Sequence, residues 1–312
     1  MLTTDYRRPP RDEKGTPMHV DDRETAGLRQ LAEDFEAVRP RLFGIAYRML
    51  GSAAEAEDVV QDAWVRWQTT DRSGIRSAVA FLSTMVTRLA LNVASSSRVR
   101  RETYIGPWLP EPVVTENDPA LGAENGEALE IGMLLLMERL NPMERAVYLL
   151  HEAFDYPFGE IAEVIETTEA NARQLARRAR VHLKEHREHE VTVEQKNRLL
   201  GSFLDAAQSG DLDRLHRLLT DDIVFYSDGG GVVSAARRPI EGRDHVGRFL
   251  LGVLSKFPDD GTVEFASVNG SDAVVVRRGG EPYIVGTIGI NDLGINRIFF
   301  VMNPSKLVAL KA

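Results

Sequence analysis

The sequence predicts a multidomain protein, mainly α, with two small helical domains, the second built around a helix-turn-helix, followed by an α+β domain. Three observations predict it. Apolar residues recur at helical spacing from residue 25 to about 100. Residues 141–187 read as helix, short helix, tight turn and Arg-rich helix. The last third turns into β-rich runs separated by glycine-containing turns. At 312 residues the chain has room for two or three such domains.

Residues 1–24 are polar, rich in Pro and charge, and read as a disordered leader; Met18 is an alternative start. Leu28, Leu31, Phe35, Val38, Leu42, Ile45, Ala46 and Met49 then mark helix up to Gly51. Ser52-Ala53-Ala54-Glu55 has the spacing of a capping box, so a new helix starts there and runs through Val59, Val60, Ala63, Trp64 and Trp67. At least one of the two tryptophans is expected in the core. After a polar loop, Thr69 to Ser77, a third helix runs from Ala78 to about Arg100 on Phe81, Leu82, Met85, Leu89 and Val93. Three prolines in the Gly106–Pro112 run stop helix and predict a stiff extended connector, and acidic residues fill the chain up to Glu130. Asn141-Pro142-Met143-Glu144 supplies cap, first-turn proline and third-position glutamate for the next helix, expected to reach about Phe154. Phe158–Ile165 is a short helix, and Thr168 can cap the last one, from Glu169 to about Glu188. Beyond it, 195–208, 212–219 and 244–257 read as helices and 223–227 as a strand. Strands at 263–268, 273–278, 283–290 and 295–302 follow, joined by turns at Asn269-Gly270, Gly279-Gly280 and Asp292-Leu293-Gly294. Helices on one face of a curved antiparallel meander is the expected arrangement.

Composition narrows the function classes. With no cysteine, disulfides, thiol catalysis and Cys-based zinc sites are excluded; no cofactor and no metal are expected. No apolar run reads as long enough to span a bilayer, and a cytoplasmic setting is expected. The net charge of −9 argues against nucleic acid only if charge is averaged. From Arg72 to Arg101 there are six arginines and no acidic residue, and 168–187 carries six basic residues against Glu169 and Glu185, with an acidic stretch between. Two basic modules on an acidic linker suit a grip on a phosphate backbone at two places.

In the helix-turn-helix, Thr168, Glu169, Asn171, Ala172, Arg173 and Gln174 lie where base edges are reached, and Arg and Asn/Gln can pair bidentately with guanine and adenine. Arg177, Arg178 and Arg180 suit phosphate contacts that fix register. The helix after Ser52 shows an acidic face beside an apolar one, a docking face for a basic or apolar partner or simply a solvated helix on a three-helix core.

Arg41-Leu42-Phe43-Gly44-Ile45-Ala46-Tyr47-Arg48-Met49-Leu50-Gly51 followed by 56–64, and Asn141-Pro142-Met143-Glu144-Arg145-Ala146 followed by Phe158-Gly159-Glu160-Ile161-Ala162, resemble the core-binding segment and the fourth domain of extracytoplasmic-function sigma factors. Trp108-Leu109-Pro110-Glu111-Pro112, Asp228-Gly229-Gly230-Gly231 and the ending Asn303-Pro304-Ser305-Lys306-Leu307 resemble the subgroup with a fused, cone-shaped SnoaL-like domain, with Val232 and Ser305 departing from the expected Lys and Asp. The resemblance implies domains at 25–104 and 131–190, a linker at 105–130 and the SnoaL-like domain at 195–312. It implies core RNA polymerase and promoter DNA as partners, and no membrane. Glu57, Asp58, Val59, Gln61 and Asp62 would face the β′ clamp helices, with the β subunit as a further contact. The 69–77 loop would capture a flipped base. The 78–101 helix, with Arg88, Asn92, Arg98, Arg100 and Arg101, would read and melt the minus-ten element, and residues 169–180 the minus-thirty-five element. In that subgroup the extension resembles a built-in regulator, with Asp228–Gly231 and the tail contacting the connector and setting the spacing of the two DNA-binding modules.

Two other readings stay open. A one-component regulator would bind DNA without polymerase and use the C-terminal domain for an effector. A SnoaL-type isomerase or cyclase would hold Tyr226, Asp228 and His245 in an apolar pocket. Asp-Gly is a turn signal before it is a catalytic one, and fold analogy is weak ground for catalysis. A small ligand bound without chemistry is a further possibility for that domain.

Overall fold

Helices α1 (Asp22–Glu36), α2 (Arg39–Leu50), α3 (Ala53–Thr69) and α4 (Ala78–Glu102) form the first module. In this computed structural model the residues described are 22–115, 129–184, 193–254 and 260–311. The expected leader therefore lies outside the described residues, except that Asp22–Glu24 already belong to α1, and so does the acidic half of the linker. Gly51 ends α2 in the left-handed region at φ 64°, its N–H bonded to Tyr47 O, which leaves no room for a straight run into α3. Ser52 caps α3 by accepting from Glu55 N, but the capping box is only half made: the Glu55 carboxylate turns away to Ser97 Oγ (2.7 Å) and Arg100. Trp67 is buried and Trp64 half-buried. Contrary to the sequence reading, α4 is long and apolar enough by composition to cross a membrane; here Leu82, Val86 and Ala90 pack it into the core of the module.

The second module holds α5 (Ile131–Met137), α6 (Pro142–Glu152), α7 (Phe158–Val164) and α8 (Glu169–Lys184). The Asn141 capping box is complete, with Glu144 N donating to Asn141 Oδ1 and Asn141 N to Glu144. Thr168 Oγ1 accepts from Asn171 N, as its position before α8 requires. The expected extension of α8 past Lys184 lies outside the described residues. The two modules do not have separate cores. Leu42, Ile45, Met49, Leu82 and Val86 belong to the same buried cluster as Ala146, Leu149, Phe154, Ile161 and Leu175.

The C-terminal domain runs α9 (Val193–Gln208), α10 (Leu212–Leu218), β1 (Leu219–Asp228), β2 (Ile240–Glu241), α11 (Arg243–Leu254), β3 (Gly261–Val268), β4 (Ser271–Arg278), β5 (Glu281–Asn291) and β6 (Gly294–Val301). The sheet order is β2-β1-β6-β5-β4-β3. The β3–β6 meander is antiparallel as its turns predict, but β1 joins β6 in parallel, so the sheet is mixed. A parallel pair needs a long crossover, which the chain between β1 and β6 provides. Asn269 and Gly270, at φ 55° and 72°, make the β3–β4 turn with both residues left-handed. Alternation along the strands gives the sheet two apolar faces. Val274, Val276, Ile284, Ile288 and Ile298 pack toward α9 and α11, while Val275, Val285, Phe299 and Val301 pack toward Leu109 and Ile131.

Candidate functional site

The acidic residues of α3 follow its helical phase. Glu57, Asp58, Gln61 and Asp62 lie exposed on one side, with exposed Val65 beside them, and Glu57 reaches Arg39 at 2.5 Å. Val59 does not join them. It is 3% exposed and belongs to the inner stripe with Ala56, Val60 and Ala63, so its side chain cannot face a partner in this arrangement.

On α4, Asn92, Arg98 and Arg100 are exposed, Arg100 being tied to Glu55. Arg88, half exposed, and Arg101, largely buried, are both bonded to other parts of the chain. Arg88 donates to Val164 O and Glu163 O, both at 2.9 Å, and sits 3.2 Å from Glu166, so it caps the C-terminal end of α7 in the second module. Arg101 bonds Leu50 O and Glu138 and stacks over Trp108, its guanidinium carbon 3.7 Å from the ring centroid. Residues of α4 thus hold the two modules together. Buried Arg145 ties them further: it donates to Met49 O (2.8 Å) and Met137 O (2.9 Å) and pairs with Glu138. Burial lowers its pKa, opposed by Glu138.

On α8, Thr168, Glu169, Asn171, Arg173, Gln174, Arg177 and Arg178 form the outward face. Arg173 pairs with Glu169 and lies over Phe158, Asn171 donates to Thr167 Oγ1, and Arg180 pairs with Glu152. Ala172 is fully buried against the core and presents nothing to a base edge.

The connector is extended, as its prolines predict, and it is gripped from both sides. On the side of the first module, Glu111 N donates to Gly51 O (2.9 Å), and Tyr47 Oη donates to Glu111 O (2.5 Å). The Glu111 carboxylate accepts from Ser52 Oγ (2.8 Å), Ala53 N (2.7 Å) and Ala54 N (3.1 Å). A carboxylate from the connector therefore caps the start of α3, taking the free N–H groups of Ala53 and Ala54. Trp108 covers Gly51, where a Cβ would fall 2.8 Å from its ring, with Pro110 alongside. Pro112 is buried behind them.

On the other side, Asp228 is fully buried. It accepts from Tyr104 Oη (2.6 Å), Leu109 N (2.9 Å), Gly230 N (3.0 Å) and Lys306 Nζ (2.7 Å). Lys306 also donates to Leu109 O and lies over Trp108 and Tyr104. Burial lowers the Lys306 pKa and Asp228 opposes it, while burial and the Asp228 charge push the Tyr104 phenol up. Asn303 Nδ2 donates to Tyr104 Oη (2.8 Å), and Asn303 Oδ1 caps the 3-10 turn that opens at Pro304. The glycines permit this closeness: a Cβ on Gly230 would fall 2.3 Å from Asn303, one on Gly231 2.9 Å from Ile105, and one on Gly229 2.6 Å from Val233 O. Val232, where Lys was expected, is largely exposed, and Ser305 donates its hydroxyl to Asn303.

Asn269, read from sequence only as a turn residue, joins three parts. It is buried, accepts from Val113 N (3.0 Å), and donates to Tyr47 Oη (2.6 Å) and Leu129 O (3.0 Å). Thr115 N donates to Ser267 O, so residues 113–115 extend the β3 edge. Tyr226, Asp228 and His245 are not gathered in an apolar pocket. Tyr226 stacks on Phe299, Asp228 serves the connector, and His245 is exposed with its Nδ1 at Glu241 O. Among the described residues no group of three His, Asp or Glu could hold a metal ion.

Residues 35–102 match the Sigma-70 region 2 family, 132–183 the Sigma-70 region 4 family and 200–284 the SnoaL-like domain. The chain is 40% identical over 252 residues to the ECF RNA polymerase sigma factor SigJ of Mycobacterium tuberculosis, covering 76% of this chain and 78% of that relative. The chain belongs to the ECF RNA polymerase sigma factors. A crystal structure of M. tuberculosis SigJ superposes with a TM-score of 0.72 at 34% identity, covering 89% of this sigma factor and 98% of that chain. A probable ECF sigma factor SigI of M. tuberculosis is 32% identical over 284 residues, 89% of this chain and 95% of the relative. As an ECF sigma factor the protein is a DNA-binding transcription initiation factor with a SnoaL-like domain, and not an enzyme.

Proposed function

We propose that this sigma factor binds core RNA polymerase in the cytoplasm, through the exposed acidic face Glu57, Asp58, Gln61 and Asp62 on the β′ clamp helices and with the second module at the β subunit. Asn92, Arg98 and Arg100 then serve the minus-ten element, and Thr168, Glu169, Asn171, Arg173, Gln174, Arg177 and Arg178 the minus-thirty-five element. The SnoaL-like domain modulates this through the connector. Elements so named lie about 25 base pairs apart, roughly 85 Å of duplex at ~3.4 Å per step, whereas α4 and α7 are in direct contact here. Reading both elements at once requires the modules to part, and Arg88 and Arg101 become available to DNA only when they do. The observation that carries the reading is the double grip on residues 108–111: Asp228 and Lys306 hold Leu109 while Tyr47 and the start of α3 hold Glu111. A domain seated on the connector favours one arrangement of the two modules over the other.

The test is run-off transcription with core polymerase on a promoter isolated by selection of bound fragments, comparing the natural chain with Glu111→Gln and Asp228→Asn. Polymerase-dependent specific initiation, with an output changed several-fold by either substitution, is expected. Initiation indifferent to both substitutions removes the regulatory role, and failure to form a complex with core polymerase removes the polymerase role.

A further inference from the structure

The face of the sheet turned away from α9 and α11 meets the second module across α5. Val224 and Arg297 are register partners on β1 and β6, and so are Tyr226 and Phe299, so these four side chains stand as a square on that face. Gly132, near the start of α5, closes one end: a Cβ there would fall 3.5 Å from the Phe299 ring. Between that contact and Arg139 a cavity of about 230 Å³ is left. Leu135 and Leu136 line it from α5. Arg139 and Arg297 bring a guanidinium group to it from either side, one from the second module and one from the C-terminal domain. Among the described residues no acidic side chain lines it. Carboxylates on and beside these elements are engaged elsewhere: Glu138 with Arg101 and Arg145, Glu130 with Lys196, and Asp222 as acceptor from Thr220 Oγ1 (2.7 Å). Arg297 Nη1 donates to main-chain oxygens, Asn296 O (2.6 Å) and Asp222 O (3.4 Å), which orient the guanidinium without neutralising it.

Two like charges at one cavity repel, and an anion that both guanidinium groups can bond removes the repulsion. The rest of the wall is apolar and aromatic, with Tyr226 stacked on Phe299 at 5.5 Å between centroids. A void of roughly 150 Å³ takes a benzene ring, so this one has room for a single ring with its charged group. We propose that it is a binding site for a small aromatic monocarboxylate, the carboxylate held between Arg139 and Arg297 and the ring against Leu135 and Phe299. One arginine stands on each side, so the guest bridges the second module and the C-terminal domain. It thereby favours the arrangement in which α5 stays on the sheet, and it lowers initiation. Binding stands on the cavity alone; the effect on initiation rests on the reading above, in which the modules must part.

The full chain titrated with 4-fluorobenzoate and followed by fluorine NMR is expected to show one saturable site. The amide 4-fluorobenzamide, which keeps the ring and lacks the charge, is expected to bind at least tenfold more weakly. Arg297→Gln, Arg139→Gln and the cavity-filling Leu135→Trp, each shown folded by its near-ultraviolet circular dichroism, are expected to weaken binding about tenfold or more. Arg278→Gln, at the ion pair with Asp260 on β4, leaves it unchanged. No saturation, equal binding of the amide, or natural affinity in both glutamine variants overturns the site. Inorganic phosphate that displaces the probe at equal concentration overturns the aromatic assignment. In run-off transcription, saturating 4-fluorobenzoate is expected to lower the output of the natural chain several-fold and to leave that of Arg297→Gln unaltered. Unaltered output of the natural chain with the probe bound overturns the bridging effect and leaves the binding site standing. Failure to form a complex with core polymerase counts against the function proposed above and does not touch the NMR result.

Discussion

The two helical modules and the connector are each held by a seam, and the seams mix apolar and polar contacts in different proportions. Between the modules the contact is mainly a continuous apolar core, with Arg41 and Arg48 over the Phe154 ring, Arg88 at its margin and the Arg145–Glu138–Arg101 cluster set into it. Around the connector it is a small set of buried, directional polar bonds: Asp228 with Lys306, Tyr104 with Asn303, Asn269 with Tyr47. An apolar seam loses strength in proportion to the area removed from it. A buried polar network fails all at once when one member goes, because its partners stay buried and unsatisfied. The connector seam therefore has the character of a latch and the intermodule seam that of a cushion.

The largest test of this contrast is Asp228→Ala. It strands the Lys306 ammonium, and the expected loss is about 3–5 kcal/mol in denaturant melts. The double variant Asp228→Ala with Lys306→Met should recover most of it, since apolar replacement of a whole buried pair is often neutral. A loss below 1 kcal/mol in the single variant, on the order of an exposed pair, would erase the distinction between the seams. Asn269→Ala should cost about 1–3 kcal/mol by leaving Val113 N and Leu129 O unpaired. Asn269→Gly should be no better, although it suits the left-handed backbone, because the side chain is what is missed. Glu111→Gln, which keeps the shape but removes the charge at the start of α3, should cost about 1 kcal/mol. Arg88→Ala, at the exposed edge of the apolar seam, should cost less than about 1 kcal/mol in the same melts.

Alkaline pH sharpens the comparison from another direction. Burial raises the Tyr47 pKa above its usual value near 10. The folded chain then keeps that proton while the unfolded chain releases it, so stability is level below about pH 10 and falls as pH rises above it. Tyr47→Phe should flatten that fall while lowering stability at neutral pH through the lost bonds to Glu111 and Asn269. A pH titration of the melting midpoint reads both.

What could be read beforehand was what is encoded locally. The Asn141 cap, the Thr168 cap, the Gly51 stop and the Asn269-Gly270 hairpin depend on residues within four positions of one another, and all four are present. The connector was legible as extended for the same reason. Its partners were only partly so, since Asp228 and Asn303 lie more than a hundred residues away and came from resemblance rather than from periodicity. Lys306, Tyr104 and Tyr47 gave no separate signal: a lysine in a tail or a tyrosine in a helix looks the same whether buried or not. Two misplacements were avoidable. Val59 and Ala172 fall in phase with the apolar stripes of α3 and α8, and helical spacing alone assigns them to the core. The half-made capping box at Ser52 was not avoidable, because the groups that draw the Glu55 carboxylate away, Ser97 and Arg100, lie 42 and 45 positions further on.

The shared core has a consequence for how such a chain can vary through recombination. The sequence reads as separable modules, yet Met49 and Leu82 in one and Ala146 and Phe154 in the other complete a single interior. A chimera that takes the second module from a relative inherits one half of an interface whose other half was shaped for a different neighbour. Exchange of both modules together, with the connector between them, preserves the fit that exchange of either alone destroys.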